Sequence, residues 1–174
     1  MSFLQRIFGR TDCRRIYDPL YRAVVGAARD PGWYRDGRVP DTVDGRFDMV
    51  AAIAALVLLR LEAEGDAGRE PSALLTELFI EDMDSSLRQI GIGEHVVGKH
   101  VGRMMGALGG RLTALRAARA GELSFAAAAT RNVFRDSPPS EAAVTWVAER
   151  LERLSRNLDA QPAAALLAGE VPPP

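Results

Sequence analysis

The sequence is poor in the residue types on which most small-protein chemistry depends. Among 174 residues there is one cysteine, Cys13, so no internal disulfide can form, and neither a CxxC pair nor a zinc-ligand spacing exists. Histidine occurs only as His95 and His100, whose separation puts them on different faces of a helix and argues against a shared metal. The GxSxG, P-loop, GxGxxG and HExxH patterns are absent. Aromatic residues make up 6%, and no stretch alternates apolar and polar residues long enough to read as a strand. The longest run without a charge, Met49 to Leu59, is well short of the roughly 20 residues that span a bilayer. Arg6, Arg10, Arg14 and Arg15 interrupt the first twenty residues, which therefore lack the apolar centre of a leader peptide. Neither charge sign dominates: 22 basic residues against 23 acidic ones exclude a globally basic DNA binder and leave only local patches to consider. These absences predict no catalytic residue, no metal and no cofactor.

What is present is apolar and helical. Hydrophobic residues make up 47% of the chain, enough for one domain that needs no covalent staple. The expected fold class is all-α, a single-domain irregular bundle of about six to eight helices. The pattern divides into an amphipathic segment over 1–15, a helical body over 16–160 and a frayed tail over 161–174. Phe3, Leu4, Ile7 and Phe8 fall on one stripe, and Asp18-Pro19 reads as the start of a separate helix reaching about Asp30. An ordered loop over 31–44, rich in Pro, Gly and Asp, precedes a strongly apolar central helix that ends near Gly65. A turn to Pro71 should be followed by a helix capped by Ser72. Gly91 and Gly93 end that helix, the next begins near Glu94, and Gly109-Gly110 interrupts it. Shorter helices over 111–120 and 123–135 lead to the breaker Asp136-Ser137-Pro138-Pro139, after which Ser140 caps a long helix carrying Val144, Val147, Leu151, Leu154 and Leu158. Trp33 and Tyr34 are expected to anchor the loop rather than to stack on bases.

Three groups of residues are candidates for chemistry or contact. Glu81, Asp82 and Asp84 form an acidic cluster that lacks the ligand alternation of a calcium loop and reads as a solvated helix face. His100 and Met104 have the i, i+4 spacing of a haem ligand pair, against the plainer reading of methionine as core filler. Lys99, Arg103, Arg111, Arg116 and Arg119 follow one another without an intervening carboxylate. They form either a basic patch for phosphates or an acidic partner, or a set of arginines paired elsewhere in the fold. The stripe Phe3, Leu4, Ile7 and Phe8, with its flanking arginines, admits weak binding to an anionic membrane surface or docking on the protein's own core.

Two runs are more specific. Val39-Pro40-Asp41-Thr42-Val43-Asp44-Gly45-Arg46-Phe47-Asp48 has a proline that extends the chain before it, Asp41 or Asp44 as candidate caps, and Gly45 where backbone can approach closely. Arg46 has Asp41, Asp44 and the distant Asp82 as candidate partners. In the second run, Phe79 to Glu94, the residues Phe79, Met83, Leu87 and Ile90 share a helical face, while Asp82 and Arg88 point elsewhere. Together with Leu20-Tyr21, Ala28-Arg29, Val97-Gly98-Lys99 and Gly110-Arg111, these runs resemble the ubiquinol-cytochrome c chaperone family over roughly residues 15–135. The chain differs from the family's pattern in having no histidine over 51–55 and Gly109 where an aromatic precedes the last Gly-Arg.

The resemblance implies a non-catalytic, all-helical assembly factor for the cytochrome bc1 complex, here a bacterial member. It implies apocytochrome b as client and a ribosome or small helical protein as a further partner. It also places the protein in the cytoplasm or on the cytoplasmic face of the inner membrane. Pro40, Asp41, Gly45, Arg46, Phe47, Asp48, Phe79, Asp82, Met83, Asp84, Leu87, Arg88, Gly91 and Gly93 become the candidate structural or partner-binding residues. A peripheral membrane adaptor and a haem carrier are the competing readings.

Overall fold

The computed structural model describes the backbone of residues 3–89 and 94–174, and the side chains of 16–86, 88–89 and 102–174. Eight helices and no strand occur among the described residues: α1 (Phe3–Ala28), α2 (Pro31–Arg35), α3 (Val43–Glu62), α4 (Asp66–Gln89), α5 (Glu94–Arg119), α6 (Phe125–Asn132), α7 (Glu141–Ala160) and α8 (Ala163–Leu167). The architecture is the all-α bundle that composition and periodicity predict. Helix α3 is its axis. Every residue from Asp48 to Leu61 is buried, and the helix packs against α1, α4, α5 and α7. An element apolar on all sides can satisfy its whole surface only when other helices surround it.

The end of α3 joins it to the C-terminal part of the chain. Arg60, buried among apolar neighbours, donates from Nε to the Leu158 carbonyl at 2.9 Å and from Nη2 to the Gln161 carbonyl at 3.0 Å. At the C-terminal end of α7 the guanidinium thus supplies a donor to the Gln161 carbonyl and a second donor to the Leu158 carbonyl, which also accepts from Gln161 N at 3.1 Å.

Several boundaries differ from expectation, each because packing overrides a local signal. Asp18-Pro19 does not begin a helix; α1 runs continuously from Phe3, with Pro19 inside it and Asp18 pairing with Arg22 at 2.9 Å. Leu20, Val24 and Ala28 are fully buried just beyond the proline, and that burial outweighs the roughly 3 kcal/mol cost of an interior proline. Pro71 likewise lies inside α4, which begins at Asp66, so Ser72 caps nothing and its hydroxyl has no partner. Gly109-Gly110 does not interrupt α5. Leu108 and Leu115, on either side of the glycines, are both buried and hold the helix together.

Between α1 and α3 the ordered loop contains the short α2, capped by Asp30, whose carboxylate accepts from Gly32 N at 2.8 Å. Trp33 and Tyr34 anchor it as expected, the indole donating to the Ala27 carbonyl and the phenol to the Ala28 carbonyl. Ser140 caps α7 as read, accepting from Ala143 N. The segment after Ala160 is ordered: α8 buries Leu166 completely, and Gly169, at φ +93°, lies against the backbone of Pro19. The absence of a Cβ is needed there for the chain to approach α1.

Candidate functional site

The loop before α3 folds back on the helix it precedes. Thr42, rather than Asp41 or Asp44, caps α3 by accepting from Gly45 N at 3.1 Å. A Cβ on Gly45 would stand 2.0 Å from the Pro40 carbonyl oxygen, so only glycine allows the loop to lie this close. Asp41 pairs with Arg46 at 2.6 Å on the exposed side. One turn further along, the helix presents Phe47 and Asp48 towards α4 and α5.

Asp48 is 2% exposed and sits between two arginines. Arg111 of α5, 5% exposed, donates through Nη2 to Asp48 Oδ1 and to the Asn132 carbonyl, and through Nη1 to the Ala107 carbonyl. Arg135 approaches from beyond α6, with Nε 2.7 Å from Asp48 Oδ2 and Nη1 2.8 Å from Asp44 Oδ2. Burial is the largest influence on both interior groups: it pushes the Asp48 carboxyl above its usual range and the Arg111 guanidinium below its own. The charges of Arg111 and Arg135 oppose the shift of Asp48, and Asp48 opposes that of Arg111. Arg135 and Asp136 both have left-handed backbones, φ 50° and 60°, an unfavoured conformation for side-chain-bearing residues that turns the Arg135 side chain back to α3.

Above this network lies a groove of about 700 Å³, floored by Phe47, Val50, Met83 and Met104. Phe47 contacts Phe79 of α4 with ring centroids 5.9 Å apart, and the Arg111 guanidinium carbon lies 5.7 Å from the Phe47 centroid. Val43, at the rim, is 59% exposed. Arg29, Arg46, Arg103 and Arg135 supply cations around the edge, with Asp44 and Asp82 as the facing carboxylates. Tyr21 of α1 donates to Asp82 at 2.7 Å, and its hydroxyl pKa is driven far above the ordinary tyrosine value, first by burial and then by that hydrogen bond. Segments far apart in sequence, 43–50, 82–89 and 103–107, meet around one concave surface.

The family model described as ubiquinol-cytochrome c chaperone matches residues 35–172. The chain belongs to the ubiquinol-cytochrome c chaperone family. A crystal structure of the Cbp3 homolog from Brucella abortus is similar over 98% of this chain and 95% of that one, at 28% identity and a TM-score of 0.75. No curated protein matches the chain.

The chaperone-family runs divide into two kinds of position in this fold. Pro40, Gly45, Asp48 and Phe79 hold elements together, whereas Asp44, Arg46, Phe47, Asp82 and Met83 line the groove. Asp84 accepts from Arg88 at 2.9 Å on the surface of α4, so the acidic cluster does not converge. Among the described residues no group of three or more metal-ligating side chains gathers. Gly91 and Gly93 lie outside the described residues, as do the side chains of Leu87, Phe3, Leu4, Ile7, Phe8, Cys13, His95, Lys99 and His100. Met104 lines the groove.

The basic series is divided by the fold. Arg111 is interior, Arg116 pairs with Glu62 at 2.7 Å, Arg119 pairs with Asp159 at 2.6 Å, and Arg103 alone of the four described lines the groove. The run that reads as one positive strip is distributed over different sides of a helix, where carboxylates from α3 and α7 meet it. Sequence reasoning missed Arg29, Val43 and Arg135 as site residues. Asp48 carried the only signal: a carboxylate at the head of a buried run requires a buried cation, although nothing local names Arg111 and Arg135.

Proposed function

We propose that this chain is a non-catalytic assembly factor for the cytochrome bc1 complex. It holds newly made apocytochrome b in the groove between α3, α4 and α5 while that protein is inserted and matured, on the cytoplasmic face of the membrane. The observation that carries this reading is the convergence of both family runs on one apolar, partly open groove floored by two methionines, side chains whose flexibility suits a surface that meets several segments of a client. Such a site contributes by covering apolar surface until the client's own contacts replace it. It makes and breaks no bond.

The test has two parts. A photo-crosslinking side chain placed at Val43 should capture apocytochrome b during its synthesis, and one placed at Glu149 on α7 should not. Deleting the gene should reduce assembled bc1 complex while leaving its transcript unchanged. Normal complex in the deletion strain, with no capture from Val43, would reject the proposal.

A second reading, a peripheral adaptor, is favoured by the continuity of α1: the stripe at 3–8 belongs to the same helix whose other end is packed on α3, α4 and α8, and Ile16 between them is 63% exposed. No helix is long and apolar enough to cross a membrane among the described residues. Vesicle flotation with and without residues 1–15 decides this reading; binding that survives the truncation eliminates it.

A further inference from the structure

The groove is apolar at its floor but electrically uneven at its edge. Three of its four arginines are engaged. Arg46 pairs with Asp41, Arg135 spans Asp44 and Asp48, and Arg103 has a partner as well. Arg29, at the end of α1, is different. Its side chain is exposed, it lines both the groove and the shallower depression beside Tyr21, and its guanidinium makes no hydrogen bond or ion pair with any described residue. Asp82, which lines both depressions with it, accepts the Tyr21 hydroxyl. Its five N–H donors therefore face solvent beside an apolar floor, with no protein acceptor among the described residues.

We infer that the groove receives one face of an apolar α-helix carrying a carboxylate at the end that meets Arg29. This rests on the client-holding function proposed above and adds the chemistry of the segment recognised. A volume of about 700 Å³ accommodates a few side chains at helical spacing rather than a whole helix, the pattern of groove-bound helices anchored at i, i+3, i+4 and i+7. A lipid chain fits less well, because Val43 stands exposed at the rim and the groove provides no closed sleeve. A carboxylate on the helix would supply the bidentate acceptor that the Arg29 guanidinium lacks, and such pairs give orientation as well as energy. The floor sets affinity, and Arg29 sets which way round the helix lies.

The experiment uses the full chain and three fluorescein-labelled helical peptides with the same leucine and alanine stripe, ending in Glu, Gln or Lys. Anisotropy should show the Glu peptide binding wild type about tenfold more tightly than the Gln peptide at low salt, with the gap closing as salt rises. Arg29→Gln should erase that gap, and Arg29→Glu should turn the preference to the Lys peptide. Met104→Glu should weaken all three. Equal binding of Glu and Gln peptides to wild type would overturn the inference. So would peptide binding indifferent to Met104→Glu, or binding only to vesicles of anionic phospholipid. If apocytochrome b is still captured from Val43 while the peptides show no charge preference, the orientation inference fails and the client-holding function stands; loss of both removes both.

Discussion

At the scale of single residues, similar charges do unlike things according to depth. Asp41–Arg46 and Asp48–Arg111 both join an aspartate to an arginine. The first lies in water, where a pair gains little; the second is interior, where loss of one partner strands the other without solvent. Asp48→Asn should therefore lower stability in urea by about 3–5 kcal/mol, with part of the loss recovered when Arg111→Met is added. Arg46→Ala should leave the urea midpoint unmoved. A small effect of Asp48→Asn would mean that the network does not hold α3, α5 and the α6 exit together.

Tyr21 gives the corresponding dependence on pH. Its folded pKa is raised by burial and by donation to Asp82. The neutral phenol therefore contributes stability that is fully present below the unfolded tyrosine value of about 10 and is lost as pH rises above it towards the folded value. Alkaline unfolding should set in above about pH 10, and Tyr21→Phe should flatten that limb while costing about 1 kcal/mol at neutral pH. An alkaline limb of the same slope in both proteins would contradict this assignment.

At the scale of elements, two sets of glycines behave oppositely. Gly109 and Gly110 lie within α5, where an added Cβ would meet open space, so their only effect is the entropy they give the unfolded chain. Replacing both with alanine should raise stability by about 1–2 kcal/mol, or roughly 2–8 °C in Tm. Gly45→Ala should do the reverse, since its Cβ would collide with the Pro40 carbonyl and push the loop off the first turn of α3. A differential scanning measurement on both variants separates a glycine kept for close approach from glycines that are merely tolerated. The same contrast explains why Gly65 ends a helical run while Gly109-Gly110 does not: Gly65 takes φ +62° in a turn with nothing packed across it, whereas buried leucines flank the pair in α5.

At the scale of the molecule, α3 is the part that every layer shares, and the C-terminal segment closes the layers. Leu166 is fully buried, Gly169 lies on Pro19, and Arg150 stacks between Trp33 and Trp146, 4.8 and 4.7 Å from the two rings. Removing residues 162–174 should lower Tm by roughly 3–10 °C, from the loss of the Leu166 anchor alone or with its neighbours. A truncated chain with unchanged Tm would show that α8 rests on the bundle without holding it.

What the sequence determined is what local patterns can encode: an all-helical chain, a central helix apolar on every side, the Ser140 cap after Asp136-Ser137-Pro138-Pro139, and the glycine that lets the Pro40 loop lie on α3. The composition of the two family runs was equally legible. Their division into scaffold and groove was not, because it depends on which side of a residue faces another helix. Arg111 shows this most plainly. In the sequence it belongs to a basic series; in the folded chain it lies beside Asp48, 63 positions away, and its charge is spent on a neighbour. Arg29, by contrast, is left open by that same packing. Pairing between distant charges and the continuity of α1 and α5 through proline and glycine were decided by tertiary contacts, since burial energies outweigh local propensities of about 1–3 kcal/mol.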